Sequence, residues 1–425
     1  MSKNILIRNI SVVDQKADAD KKYDIFISEG KIVKVGNVPE DCDATIIDGT
    51  GLTAFPAFFD MHVHFRDPGF THKEDIITGS AAAAAGGVTG VLCMPNTNPP
   101  VDNEETIKYI SDKASSVDID VYQAACITSG MKGENLADFK LYSSLGIRAV
   151  SDDGRPVKNA GLMEQALIDA DRENLLVTSH CEDMDIIKNG IMNKGAVSQK
   201  LGVPGMDRAS EDSITAREIA LAGAAGVPVH IAHVSTEGSI GFIRDAKKRG
   251  IKVTCETCPH YFIFTDEKLT ARDADFRMNP PLREMRDVKA ILEAVADGTI
   301  DCIVTDHAPH AANEKECFEK APNGVVGLET SFSATLTYLY HTGKVSLMRI
   351  AELMSVTPRK LLGIDPVYIQ EGYTADICIA DINAEWTVEP EKLHSRSHNT
   401  LFKGEKLKGR PVMTISKGKI IYSNI

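Results

Sequence analysis

Hydrophobic and polar positions change rhythm twice along the chain. Up to about residue 55, apolar residues come in short runs: Ile5-Leu6-Ile7, Tyr23 to Ile27, Lys31 to Val35 and Ala44 to Ile47. Turn pairs such as Glu29-Gly30 and Asp48-Gly49 separate them, which predicts a small antiparallel β unit. From about 365 the same rhythm returns in Asp376 to Ala380, Met413 to Ser416 and Lys417 to Tyr422. Short β segments at opposite ends of a chain cannot each build a core. They are expected to meet as one small β-sandwich made from residues 1–55 and 365–425.

Between them, over 56–364, apolar strand-like runs alternate with helical runs. The strands are predicted at 54–64, 88–95, 120–127, 147–152, 175–180, 228–234, 252–257 and 301–306. Helical stretches are predicted at 74–85, 103–115, 159–173, 213–225, 237–248 and 285–296. Eight strands alternating with helices over about 300 residues is the pattern of a (β/α)8 TIM-like barrel. An open doubly wound sheet competes with it, but the Gly-rich phosphate turn that would be expected early in such a fold is missing.

Composition narrows the function classes. The chain has 425 residues, 43% hydrophobic and 25% charged, which suits a soluble globular enzyme with a large core. Its net charge of −13 argues against nucleic acid or an anionic membrane as the main partner. An anionic small molecule stays open, because an acidic protein can hold a local cationic pocket. No apolar run reaches the length of about 18 residues that a membrane helix needs. Met1-Ser2-Lys3-Asn4-Ile5 is not followed by a long apolar core, so no secretory leader is expected. The nine cysteines are scattered and odd in number, which reads as reduced thiols and a cytoplasmic location. Cys255-x-x-Cys258 lacks a second pair and is taken as part of a strand.

The chemistry gathers where the predicted strands end, which is where barrels of this kind carry their working residues. The first strand ends in His62-Val63-His64, two imidazoles expected to share a strand face, with Arg66 following on the same side. The second ends near Asn96, the fourth at Asp152-Asp153, the fifth at His180, the sixth at His233 and the eighth at Asp306. Asp152 and Asp153 cannot both point inward, and Asp153, nearer the tip, is chosen. His62, His64, Asp153, His180, His233 and Asp306 then converge on one rim, a donor set suited to a metal. His230, three residues before His233, is expected on the other face as a packed or surface histidine. His72, His260, His341, His394 and His398 find no strand-end partner.

These residues carry a resemblance. His-x-His at strand one, His at five, His at six and Asp at eight resembles the amidohydrolase superfamily. Phe59 to Gly69, Met94-Pro95-Asn96-Thr97, Ser151-Asp152-Asp153-Gly154 and Asp306-His307-Ala308-Pro309-His310 are similar to dihydroorotases of the long, bacterial type, and the likeness runs through the whole chain. The resemblance implies zinc, one or two ions per chain. His62 and His64 would hold one, His180 and His233 a second, Asp153 would bridge them, and Asp306 would ligate the first and act as general base. Arg66, Asn96 and His310 would hold a substrate carboxylate beside His64, and Asn279 and the backbone at Asn323-Gly324 would hold the ring.

The implied reaction is the reversible cyclisation of carbamoyl-aspartate to dihydroorotate in pyrimidine synthesis. Hydantoinases and shorter dihydroorotases place a carboxylated lysine at strand four. Here 147–153 holds no lysine, so an aspartate bridge fits better. A hydantoinase- or allantoinase-type activity is the alternative, and a non-catalytic partner subunit that has lost its ligands is a third reading, disfavoured because every ligand position is filled. A homodimer and association with aspartate transcarbamoylase are implied partners only. The stretch 309–327, with Pro322, Gly324 and Gly327, reads as a loop covering the substrate.

Overall fold

The structure, a computed structural model, describes residues 4–18, 21–39 and 43–425. Residues 1–3, where a leader was sought, and Cys42 lie outside the described residues. In the middle of the chain eight strands run parallel: β1 (Phe58–Val63), β2 (Val88–Cys93), β3 (Asp120–Gln123), β4 (Ala149–Val150), β5 (Leu176–Ser179), β6 (Val229–Ile231), β7 (Val253–Thr257) and β8 (Cys302–Ile303). They form one sheet in the order β1-β2-β3 and another in the order β8-β7-β6-β5-β4. Single parallel bridges, Ala125 with Val150 and Val63 with His307, join the two sheets at both sides. The backbone bonds there are Ser151 N to Ala125 O (2.9 Å) and His64 N to His307 O (2.8 Å).

A helix follows each of the first seven strands: Ile76–Ala85, Glu104–Ala114, Phe139–Ser144, Ala160–Arg172, Ala209–Ala225, Glu237–Lys248 and Met285–Asp297. The sequence pattern missed Phe139–Ser144, which is only six residues long and carries a weak periodic signal. Met285–Asp297 shows the rule the others follow. Val288, Ile291, Ala294 and Val295 share one buried stripe, and each large side chain among them contributes about 1.5–3 kcal/mol by leaving water. Between the strands, Phe59, Met61, Leu92, Ala124, Ala149 and Val304 form a second buried cluster.

The two chain ends form one eight-stranded mixed sheet. Ile5–Val12 pairs antiparallel with Tyr23–Ser28 and parallel with Thr45–Asp48, and its last residues pair parallel with Thr53–Pro56. The C-terminal strand Ile377–Thr387 zips antiparallel onto Thr53–Pro56, the strand that leads straight into β1. Ile5, Ile7, Ile25 and Ile27 from one end share a core with Ile377 and Ile415 from the other. Neither end could bury these isoleucines alone. No helix among the described residues is long and apolar enough to cross a membrane.

Candidate metal centre and substrate pocket

His62 and His64 reach the same side, their Nε2 atoms 3.7 and 3.0 Å from Asp306 Oδ1. The register of β1 against β2 shifts between Asp60 and Val63, and His64 lies just past the strand end. Such irregularities re-aim side chains at functional sites. Asp60, buried behind them, accepts from the backbone of His62 (3.1 Å) and of Thr305 (3.1 Å), tying β1 to the end of β8. Arg66 departs from the expected strand geometry with φ +58°, so its reach into the site comes from a turn. His233 (φ +32°) and Asp306 (φ +49°) are also in the left-handed region, which is costly for residues with a Cβ. Three site residues therefore hold strained backbone that the surrounding packing must maintain.

The predicted ligands do converge. His62, His64 and Asp153 form one group of donor atoms within 4.8 Å of one another, and Asp153, His180 and His233 form a second. Asp153 is common to both. His62 Nε2 and His180 Nδ1 lie 3.5 and 3.4 Å from Asp153 Oδ1, and His233 Nε2 lies 3.7 Å from it. Asp306 Oδ1 is 3.0 Å from His64 Nε2 and 3.7 Å from His62 Nε2. No lysine among the described residues lines the cluster, in keeping with the lysine-free stretch 147–153.

The donor set fits a cation. His62 Nε2 and Asp153 Oδ1 are buried with no hydrogen-bond partner among the described residues. Burial opposes charge at His62, yet Glu256 and Asp153 lift its pKa well above the ordinary histidine range. At His180 burial is likewise outweighed by Asp153 and Glu182, which lift it to about 10. Asp153 is held well below the usual carboxylate range: burial pushes it up, but His180, His233 and His62 prevail. Buried carboxylates that draw positive charge onto neighbouring imidazoles mark a place where a metal ion would be held.

Several supporting residues escaped the sequence reading. Glu256, at the end of β7, accepts from His62 Nδ1 at 2.7 Å. His230, expected to be a bystander, is fully buried and contacts the other oxygen of Glu256 at 3.2 Å through Nε2. Its Nδ1 meets Thr254 Oγ1 at 2.8 Å. Glu182 Oε2 lies 3.2 Å from His180 Nε2. Carboxylates on the far nitrogens fix the tautomer and direction of metal-binding imidazoles. A lone acid within the otherwise uncharged run Val253–Thr257 was the available signal for Glu256. Asp152, the carboxylate set aside, caps the backbone of Ile127 (2.8 Å) and Thr128 (3.2 Å) instead of facing the site.

A cavity of about 220 Å³ opens over the cluster. It is lined by His64, Arg66, Asn96, Asp153, His180, His233, Asn279, Asp306, His310, Asn323 and Gly324, every predicted site residue except the fully buried His62. The side-chain amides of Asn96 and Asn279 are already engaged. Asn96 accepts from His64 Nδ1 (2.9 Å) and donates to Asp153 Oδ2 (3.1 Å), and Asn279 donates to Glu182 (2.7 Å). Arg66 is different. It donates to the carbonyl of Pro309 (3.3 Å) and approaches His310 (3.4 Å), but it has no ion-pair partner among the described residues. Burial lowers its pKa only to about 10, so it stays charged. Asp67, next to it, is anchored by Lys113 (2.6 Å) and Tyr109 (3.0 Å).

His310 is neutral, because burial and the neighbouring Arg66 and Lys73 lower its pKa to about 2. Lys73 Nζ donates to its Nδ1 (3.2 Å), so Nε2 carries the proton and donates to Asn323 O (2.9 Å). The 309–327 stretch is a loop with one short helical turn at Ala312–Lys315. Lys315 Nζ pins it through the carbonyls of Ala274, Arg277 and Pro322.

A family model described as "Dihydro-orotase-like" matches residues 51–239. The dihydroorotase of Citrifermentans bemidjiense is 48% identical over 424 residues, covering 99% of both chains. That of Acetivibrio thermocellus is 45% identical over 419 residues, covering 98% of both. Among solved structures, the dihydropyrimidinase from Brevibacillus agri NCHU1002 superposes with a TM-score of 0.87 at 24% identity, covering 99% of this chain and 95% of that one. A D-hydantoinase does so with a TM-score of 0.87 at 25% identity and the same coverage.

Proposed function

The chain belongs to the dihydroorotase family of metal-dependent cyclic amidohydrolases, and we propose that it interconverts N-carbamoyl-L-aspartate and L-dihydroorotate, in pyrimidine synthesis, on a (β/α)8 barrel flanked by a sandwich of the two chain ends. The observation that carries the substrate assignment is Arg66. A charged guanidinium without an ion-pair partner among the described residues, beside a cavity floored by metal-ligand side chains, calls for an anion that stays intact during the reaction. The ring carboxylate of dihydroorotate supplies one. The neutral ring of His310 stands next to Arg66 as a second contact for that carboxylate, its Nε2–H exchanging Asn323 O for the carboxylate when substrate binds, and the backbone at Asn323-Gly324 flanks the ring.

In this reading the metal would be zinc, and His62, His64, Asp153, His180, His233 and Asp306 would hold it. When bound it supplies Lewis acidity to the ring carbonyl and to water. Asp306 does the proton work. Burial opposes its ionisation, but the hydrogen bond from His64 and the nearby His62 and His233 hold its pKa at about 2. It is therefore a carboxylate at the cavity wall, able to take the proton from attacking water and return it to the leaving ring nitrogen. Ring closure uses the same group in reverse. Asn96 keeps His64 and Asp153 in register, and Asn279 does the same for Glu182 behind His180.

A cytoplasmic location is supported by eight unpaired cysteines among the described residues, seven of them buried. Partnership with a second copy or with aspartate transcarbamoylase rests on the family resemblance alone. The test is turnover of both substrates by purified protein before and after exhaustive chelation. The expected result is activity in both directions, lost with the metal and restored by zinc. Full activity in protein shown metal-free by elemental analysis refutes it.

A further inference from the structure

The wall of the cavity that holds His310 and Gly324 is fastened by a residue from far along the chain. Asn399 belongs to the segment between Pro390–Lys392 and the strand Lys406–Ser416, beyond the eight-stranded core of the site. The residue is 5% exposed, and its side chain uses both donors and one acceptor position toward the cavity wall. Nδ2 donates to Ala308 O (3.2 Å) and to Gly324 O (2.9 Å), and Oδ1 accepts from the backbone of His310 (3.0 Å). Its own carbonyl accepts from Val326 N (2.9 Å). One residue, by its side-chain amide and its backbone carbonyl, thus cross-ties 308–310 to 324–326, the two backbone stretches that flank the pocket.

The neighbours of Asn399 reach the third stretch. Ser397 Oγ donates to Lys73 O (2.6 Å), and Lys73 in turn holds the ring of His310. Ser395 binds Glu74, which also meets His307 at 3.4 Å. Gly324 has φ +145°, and a Cβ on it would come within 2.6 Å of Ala308 O, so the spacing that Asn399 sets is tight. None of these contacts touches His62, Asp153, His180 or His233.

We propose that Asn399 is a positioning residue for substrate binding: it sets the distance between His310 and the Gly324 backbone, and so the fit of the carboxylate-bearing ring. This rests on the reading of the cavity as the dihydroorotate site. A residue acting there should affect substrate affinity and leave metal binding alone. A misplacement of about 1 Å at a positioning group costs up to about 100-fold.

The experiment compares Asn399→Ala and Asn399→Asp with wild type in KM, kcat, metal content, far-UV circular dichroism and inhibition by orotate, a ring with the same carboxylate. Folded Asn399→Ala is expected to raise KM by about 10–100-fold and weaken orotate in parallel, with kcat within about threefold and metal content unchanged. Asn399→Asp keeps the acceptor for His310 N but sets a carboxylate against two carbonyls, so its KM should rise as well. Should Asn399→Ala fail to fold, Asn399→Asp decides alone. A folded variant with KM and orotate inhibition within about twofold of wild type, or one that loses kcat or metal with KM unchanged, overturns the proposal. Absence of turnover in the wild type would instead refute the proposed function, and this inference with it.

Discussion

Glu256 is a fully buried carboxylate whose removal should be felt by the metal before it is felt by the substrate. It accepts from His62 Nδ1 at 2.7 Å, which commits that nitrogen to a proton and leaves Nε2 free to face Asp153 and Asp306. Its second oxygen contacts His230 at 3.2 Å. In Glu256→Gln the amide oxygen can still accept from His62, and His230 can change tautomer to meet the amide nitrogen. The variant should fold, but His62 loses the negative charge that strengthens it as a ligand. Loss of such an outer partner costs about 10–100-fold in metal affinity, or about 1.4–2.7 kcal/mol. Glu256→Ala should cost more, because it leaves buried His62 and His230 nitrogens without a partner, at about 1–3 kcal/mol of stability each. The assay is a chelator titration of zinc-loaded protein read with a metal-sensitive dye, independent of turnover. A folded Glu256→Gln protein that binds zinc as tightly as wild type would refute the reasoning.

Substitutions at two other positions separate chemistry from scaffold. Asp306→Asn keeps the side-chain shape but cannot accept a proton and ligates more poorly; turnover should fall by at least about 10²–10⁴-fold in both directions with the fold intact, as read from kcat and circular dichroism. Asp152→Ala removes the cap on Ile127 N and Thr128 N. It should lower unfolding free energy by about 1–3 kcal/mol for each orphaned donor, measured by denaturant titration, whereas Asp152→Asn, which retains an acceptor, should lose less.

Much of this site could be read from the chain because a strand-end ligand announces itself. Five of the eight predicted apolar runs carry His62, His64, Asp153, His180, His233 or Asp306 at or near their ends. The choice of Asp153 over Asp152 followed from proximity to the strand tip, and the capping role of Asp152 explains it. The supporting residues had no such mark. Glu256 is 194 positions from the histidine it orients, and only the ring of strands brings them together. His230 lies three residues before His233, so alternation alone put it on the other face, and its contact with Glu256 comes from the adjacent strand β7. Asn399 is an ordinary polar residue in a segment without periodicity, and its role depends on where the C-terminal segment runs. Arg66 reaches the expected place by a left-handed turn that strand geometry does not describe.

The central claim is that the cavity selects an acidic ring, and kcat/KM for dihydroorotate and for dihydrouracil tests it most directly when measured in wild type and Arg66→Ala. Removing one partner of a desolvated charge pair costs about 2–5 kcal/mol, roughly 30-fold to a few thousand-fold in kcat/KM. The account predicts a strong preference of wild type for dihydroorotate, and its collapse in Arg66→Ala because the acidic substrate suffers most. Equal turnover of the two rings by wild type, or a ratio that Arg66→Ala leaves unchanged, would contradict the carboxylate-binding role of Arg66 and favour a hydantoinase-type activity.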